Sequence, residues 1–306
     1  MKASSRSTRR HFFRSATLTG AGLAAASLHQ RLGAAEEAQA TAGVAGKIRH
    51  SACKWCYPDV SLDDLCASGK AFGLSSVDLL QPADFPTLKK HGLVCAMVAN
   101  PTAQGPDGKE VGGIPRAFNR LEHHDALIAA YETQISAVAE AGLTNLICFS
   151  GNRDGLDDET GMKHCATGLK RLMKFAEAKK VTLCMELLNS KVNHPDYMCD
   201  HTEWGAALCQ TVGSERFKLL YDIYHMQIME GDVIATLQKH QSCIAHYHTG
   251  GVPGRHEIDE TQELQYPAIM RAIVATGYTG HVAQEFIPAK PDKLGSLKQA
   301  IGICTV

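Results

Sequence analysis

The sequence predicts a single (β/α)8 TIM barrel, an α/β fold. Three observations carry that expectation. Short apolar runs alternate with longer amphipathic ones from Lys47 to the C-terminus, eight of each, and strands that alternate with helices build parallel sheets. The 306-residue length leaves room for one barrel of about 250 residues with its loops. The run after the first strand contains no Gly-rich phosphate loop, which an open doubly wound sheet would want there.

The strands are expected at Ile48–Cys53, Ser76–Leu80, Leu93–Val98, Leu146–Ser150, Thr182–Leu187, Lys218–Asp222, Ile244–His248 and His281–Phe286. Each is a short apolar segment of strand length. Helical spacing is expected over Leu62–Phe72, Phe85–His91, Leu121–Ala141, Thr160–Lys179, Asp200–Thr211, Asp232–Lys239, Tyr266–Thr276 and Asp292–Ile301. The pairs Ala141-Gly142, Ser68-Gly69 and Thr276-Gly277 place Gly where a helix should stop. The long Asn100–Arg120 connection, with Gly105, Gly108, Gly112 and Gly113, is a candidate lid over the catalytic face.

Hydrophobic residues make up 44% of the chain and charged residues 21%, enough apolar material for a normal core. The 31 basic and 32 acidic residues nearly cancel and form no basic stripe, which argues against nucleic acid as the partner. The eleven Cys are scattered. Cys53 and Cys56 form one C-x-x-C pair, and without a second pair at zinc spacing they read as small buried residues at a strand end.

Residues 1–45 read as an export segment. The run Ser7-Thr8-Arg9-Arg10-His11-Phe12-Phe13-Arg14, followed by a mildly apolar Ala- and Gly-rich stretch from Ala16 to Leu28, resembles a twin-arginine signal peptide. The stretch is too short and too weakly apolar for a stable membrane span. Residues 46–306 are then the barrel domain, exported folded and expected in the periplasm, and a chain folded in a reducing compartment need not depend on disulfides.

In a parallel barrel the chemistry sits at the C-terminal strand ends. Thr182-Leu183-Cys184-Met185-Glu186 and Leu219-Leu220-Tyr221-Asp222 end in carboxylates. Ile244-Ala245-His246-Tyr247-His248 ends in imidazole, and Val282-Ala283-Gln284-Glu285 in a carboxylate again. Each follows apolar residues, so burial would be costly without a partner, and a divalent cation is the simplest one. Glu186, Asp222, His248 and Glu285 form an oxygen-rich donor set that suits Mn²⁺, Mg²⁺ or Co²⁺ and also accommodates Zn²⁺. A cation held by a carbonyl and its neighbouring hydroxyl acidifies the intervening C–H. Glu186 and Glu285 are the expected catalytic pair, one taking the proton and the other returning it through an enediolate. His225, Arg255, His256 and Glu257 lie in the adjoining loops and are expected to bind substrate, with Arg255 aimed at anionic or hydroxyl groups.

The segments Met185-Glu186-Leu187-Leu188-Asn189, Tyr221–Asp232, Gly251-Val252-Pro253-Gly254-Arg255-His256-Glu257 and Gln284-Glu285-Phe286 resemble the hydroxypyruvate isomerase family within the xylose-isomerase-like barrels. The resemblance implies interconversion of hydroxypyruvate and tartronate semialdehyde, with the same two catalytic Glu and the same four metal positions. A ketose 3-epimerase or a keto-glycoside lyase would use the same groups. A non-catalytic periplasmic sugar-binding protein is the reading of a different class. The expected partner is a small sugar or keto acid, and such barrels often pair as homo-oligomers through rim loops and helices.

Overall fold

The computed structural model describes residues 47–306; the export segment lies outside them. Strand β1 (Arg49–Ala52) opens the chain, and a 3-10 turn (Lys54–Cys56) follows it. Helices α1 (Leu62–Phe72) and α2 (Phe85–Lys90) come next. A short hairpin, β2 (Ala103–Gln104) and β3 (Glu110–Val111), precedes α3 (His124–Glu140). The rest alternates: β4 (Asn145–Cys148), α4 (Asp158–Lys179), β5 (Thr182–Glu186), α5 (Thr202–Val212) and β6 (Phe217–Asp222), then α6 (Ile223–Met229) and α7 (Val233–Lys239). Strand β7 (Ile244–Thr249), α8 (Tyr266–Ala275), β8 (His281–Gln284) and α9 (Lys293–Cys304) complete it.

Six strands form one parallel sheet in the order β1-β8-β7-β6-β5-β4. The second and third expected strands form no regular ladder. They run as extended segments joined by single parallel bridges, Cys53 to Asp78, Ser76 to Val94, Leu80 to Val98 and Val98 to Leu146. These bridges carry the wall from β1 round to β4, which is the (β/α)8 ring. The irregularity has local causes. Leu79 is left-handed, at φ 60°, a conformation costly for a branched side chain. The Ser76 and Asp78 side chains, and not a neighbouring carbonyl, receive the Ala96 N–H at 2.8 and 3.2 Å.

The helix signals hold with one correction. Gly142 and Gly277 are left-handed just beyond α3 and α8, at φ 71° and 81°. Gly69 does not stop a helix. It lies inside α1, which ends at left-handed Gly73. A Cβ on Gly69 would sit 2.5 Å from Leu74 Cδ1, so close packing explains this glycine. Ser61 caps α1 by accepting the Asp64 N–H at 3.1 Å. The Asn100–Arg120 connection carries the β2–β3 hairpin.

The core is one continuous apolar cluster of strand and helix residues. Ten of the eleven cysteines are buried, Cys243 is half-buried, and all are free thiols. That agrees with the packing reading of Cys53 and Cys56. Among the described residues no helix is long and apolar enough to cross a membrane.

Two buried histidines, His50 on β1 and His281 on β8, are pushed down to about 4 by burial. Between about pH 6.5 and 4 the unfolded chain binds a proton at each that the folded chain refuses. Stability is therefore full above that window and falls as pH drops through it. Each should cost about 2 kcal/mol between pH 7 and 5. Urea midpoints at the two pH values check this, and His281→Gln should roughly halve the difference, since His50 still contributes; an unaltered difference would reject the assignment.

Candidate active site

Each strand-end residue reaches the rim because its strand places it there. Glu186 ends β5 and Asp222 ends β6, where Asp222 pairs in register with His248 on β7. Glu285 follows β8 directly, its N–H bonded to the Thr249 carbonyl at 3.0 Å. All four are buried, and one ligating atom from each lies within 4.8 Å of the others. His248 Nδ1 is 2.6 Å from Glu285 Oε2 and 3.6 Å from Glu186 Oε1.

Asp222 has two tasks. Its Oδ1 caps α6, accepting the Tyr224 and His225 N–H groups at 2.8 and 3.2 Å. Its Oδ2 accepts from Arg255 Nη2 at 2.8 Å. Helix α6 went unread in the sequence because the cap and the apolar run Ile223-Tyr224 continue the strand without a break.

Arg255 is the hub of the site. It comes from the loop after β7, where Gly251 is needed: a Cβ there would meet the Glu257 carbonyl oxygen at 2.2 Å. The Tyr266 hydroxyl pins the base of that loop, accepting from Gly250 N at 2.8 Å and donating to Gly250 O at 2.7 Å. Arg255 donates through Nε to the Glu285 carbonyl at 3.0 Å and through Nη2 to Asp222 Oδ2 and to Glu285 Oε2 at 2.5 Å. Its Nη1 lies 2.6 Å from His225 Nε2. The Trp55 and Tyr224 rings flank the guanidinium at 5.5 and 5.1 Å. Of the five N–H groups of a guanidinium, three donate within the protein, to the Glu285 carbonyl, Asp222 Oδ2 and Glu285 Oε2, and Arg255 also borders the cavity over the site. It binds the site's own carboxylates together.

The remaining sequence candidates divide. His225 stands behind Arg255, its Nδ1 accepting from the Asn189 N–H at 3.1 Å and the side-chain amide at 2.6 Å. Burial, then the nearby Arg255 charge, hold it uncharged, well below the usual histidine range. His256 is exposed, with Nδ1 3.0 Å from the Ile287 carbonyl. Glu257 accepts from the Ala289 and Lys290 N–H groups and the Ser296 hydroxyl. Those contacts tie down the loop after β8, so the structure places His256 and Glu257 outside the site.

Sequence reasoning missed three features. Trp55 Nε1 donates to Glu285 Oε1 at 2.7 Å. A cavity of 390 Å³ opens onto Glu186, Glu285 and Arg255. It is walled by Leu79, Ile147, Phe149 and Leu188, with Asn100 and Ile114 from the long connection and His194 at one side. Below the site, Asp78 accepts from the Ser51 and Ser76 hydroxyls at 2.7 and 2.8 Å and lies 2.7 Å from His246 Nε2. Burial opposes the Asp78 charge, but His246, His248 and Ser51 outweigh it and hold the carboxyl at about 2. Trp55 was visible as the residue between the two cysteines, but a lone Trp carries no directional signal.

The electrostatics leave a deficit of positive charge. Three buried carboxylates face one permanent cation, Arg255. Burial raises Glu186, and neighbouring Glu285 adds to it. Burial also raises Asp222 to about 7. His248 is raised well above its usual range: burial works against its charge, and the Glu285 and Glu186 carboxylates prevail. Glu285 is held low, because His248 and Arg255 outweigh its burial. Protons thus take the place that a cation would fill. A donor set of three carboxylates and one imidazole, short of positive charge, fits a divalent metal ion.

The family model of the xylose isomerase-like TIM barrels matches residues 87–301. The chain belongs to that family. It is 36% identical over 129 residues to the 2-oxo-tetronate isomerase of Cupriavidus necator, covering 42% of this chain and 49% of that protein. It is 32% identical over 112 residues to the hydroxypyruvate isomerase of Escherichia coli, covering 36% and 43%. The matched stretch thus spans about half the length of these relatives. Among solved structures, an AP endonuclease family 2 protein of Brucella melitensis superposes with a TM-score of 0.72 at 23% identity, over 82% of this chain and 96% of that one. That likeness is one of fold.

Proposed function

We propose that this barrel is a metal-dependent isomerase that moves a proton between adjacent carbons of a 2-hydroxy-carbonyl compound. The single observation behind this reading is the convergence of Glu186, Asp222, His248 and Glu285 within 4.8 Å, beside a small cavity that Glu186 and Glu285 border. The relatives named as isomerases support the reaction class. A divalent cation held by those four residues would polarise the carbonyl and lower the pKa of the neighbouring C–H. Asp222 and His248 serve to hold it.

Glu186 and Glu285 do the proton work. Both border the cavity and both are buried. Their environments push them apart, Glu186 up and Glu285 down. One of the two takes the proton and the other returns it, and Trp55 aims Glu285 by donating to its Oε1. Apolar walls keep water from competing for the proton. The Arg9-Arg10 leader, on this reading, sends the enzyme to act outside the cytoplasm.

The test is solvent exchange. Full-length protein with Mn²⁺ in D₂O should place deuterium beside the carbonyl of a turned-over hydroxy-carbonyl compound, as seen by NMR. EDTA stripping should stop incorporation and Mn²⁺ should restore it. Incorporation that survives stripping refutes metal dependence, and tight binding without incorporation would make the protein a sugar-binding protein.

A further inference from the structure

We propose that Cys209 and Cys243 are a dithiol that closes to a disulfide when an outside disulfide reaches Cys243, and that the bridge staples the β6–β7 wall from the rim opposite the site. The inference goes beyond the isomerase reading and does not depend on it. Cys209 lies in the last turn of α5, and Cys243 closes the 3-10 turn Gln241–Cys243 that leads directly into β7. Both elements are held firmly. A Cβ on Gly205 would lie 2.9 Å from Leu219 Cδ2, so α5 sits close on β6. The turn is fixed by the Cys243 N–H on the His240 carbonyl at 2.8 Å and by Lys218 Nζ, from β6, on the Ser242 carbonyl at 2.8 Å. The two sulfurs meet between these elements, the Cys209 thiol donating to Cys243.

Access separates this pair from the other cysteines. Cys243 is the one half-buried cysteine of the eleven. Cys53 and Cys56 are shut inside, and Cys53 Sγ packs 3.8 Å from His248 Nε2. Thiol exchange needs a thiolate that an outside disulfide can touch. The hydrogen bond from Cys209 brings Cys243 down to about 6 against its partial burial, and Ser242, Lys218 and His240 add to the effect. The Cys209 thiol is held high, by that bond first and by burial second. So Cys243 attacks and Cys209 resolves. The Cys243 thiolate attacks one sulfur of a small-molecule or protein disulfide, RS–SR, giving Cys243–S–SR and releasing RS⁻. Cys209 then attacks the Cys243 sulfur, and its proton leaves with the second RS group as RSH. Two cysteines are oxidised and one RS–SR is reduced. The loop so closed holds β6, with Asp222 at its far end, and α6 and α7. Closing it removes entropy from the unfolded chain. Export, as proposed above, would bring the folded chain to an oxidising compartment where RS–SR is supplied.

The full chain, reduced and then freed of reductant, is incubated with oxidised glutathione, quenched, denatured, alkylated and mapped by mass spectrometry. Two of the eleven thiols should be lost as a Cys209–Cys243 cross-link. Tm should rise about 5 °C, and reductant should reverse both changes. Cys209→Ser should stop at a glutathione adduct on Cys243, since no thiol resolves it, and Cys243→Ser should form neither adduct nor bridge. Three results overturn the proposal: all eleven thiols still alkylated, a lasting glutathione adduct on Cys243 of the parent, or a bridge between another pair. A bridge that leaves Tm unchanged overturns the staple. Mapping and Tm are read without metal or substrate, so this inference and the isomerase reading fail separately.

Discussion

Glu186→Gln is expected to lower deuterium exchange about 10²–10⁴-fold while the metal-free protein becomes more stable. The two effects have one origin. Burial raises the Glu186 carboxyl and the Glu285 charge raises it further. A carboxylate whose folded pKa lies above its unfolded value costs stability at neutral pH, where the unfolded chain ionises it freely. Gln removes that cost and keeps the shape. It also removes a proton-transfer group and one metal ligand. Exchange is therefore measured across an Mn²⁺ titration to saturation, and stability by urea unfolding in EDTA. Recovery of full exchange at saturating Mn²⁺ would reduce Glu186 to a ligand. Glu285→Gln should lose exchange as severely but gain no stability, because Glu285 accepts from Trp55, His248 and Arg255.

Arg255→Met should destabilise the metal-free protein by about 3–5 kcal/mol, the cost of removing one partner from a buried ionic group. For a barrel of this size that is a fall in Tm on the order of 10 °C. Arg255 is buried and bridges Asp222 and Glu285. Without it those carboxylates and Glu186 confront one another at the barrel mouth. Arg255→Lys retains the charge but not the fork, so it should recover part of the loss. Saturating Mn²⁺ should raise the Tm of Arg255→Met more than that of the parent, since a cation then supplies the missing positive charge. An equal rise in both proteins contradicts the sharing of these carboxylates, and a loss under about 1 kcal/mol contradicts the buried bridge.

The two variants probe parts of the site that differ in how readily they are seen in the sequence. Glu186 and Asp222 are legible because each closes a strand, and strand ends in a parallel barrel share one rim. His248, one residue short of the end of β7, and Glu285, one residue past β8, reach the same rim. Arg255 was found, but its ties to the site's own carboxylates were not. Its position in a Gly- and Pro-rich loop says that it is near the rim, and its chemistry suits substrate and protein carboxylates equally. His256 and Glu257 share that loop yet turn away, because Arg255 is left-handed at φ 60° and the chain reverses around it. No spacing rule carries that information.

The sequence by itself determined the barrel, most helix boundaries and the four residues of the site. Strand and helix periods and the strand-end rule are local properties, readable one segment at a time. Only the tertiary structure decided how those residues are held and what space surrounds them. Trp55 on Glu285, Arg255 across Asp222 and Glu285, and the Asp78–His246 pair beneath join residues 30 to 230 positions apart. The apolar cavity is likewise a property of packing, since Leu79, Ile147 and Leu188 read in the chain as ordinary core residues. Contacts between distant segments depend on side-chain direction and on the exact course of loops, and neither is encoded in any short stretch of sequence.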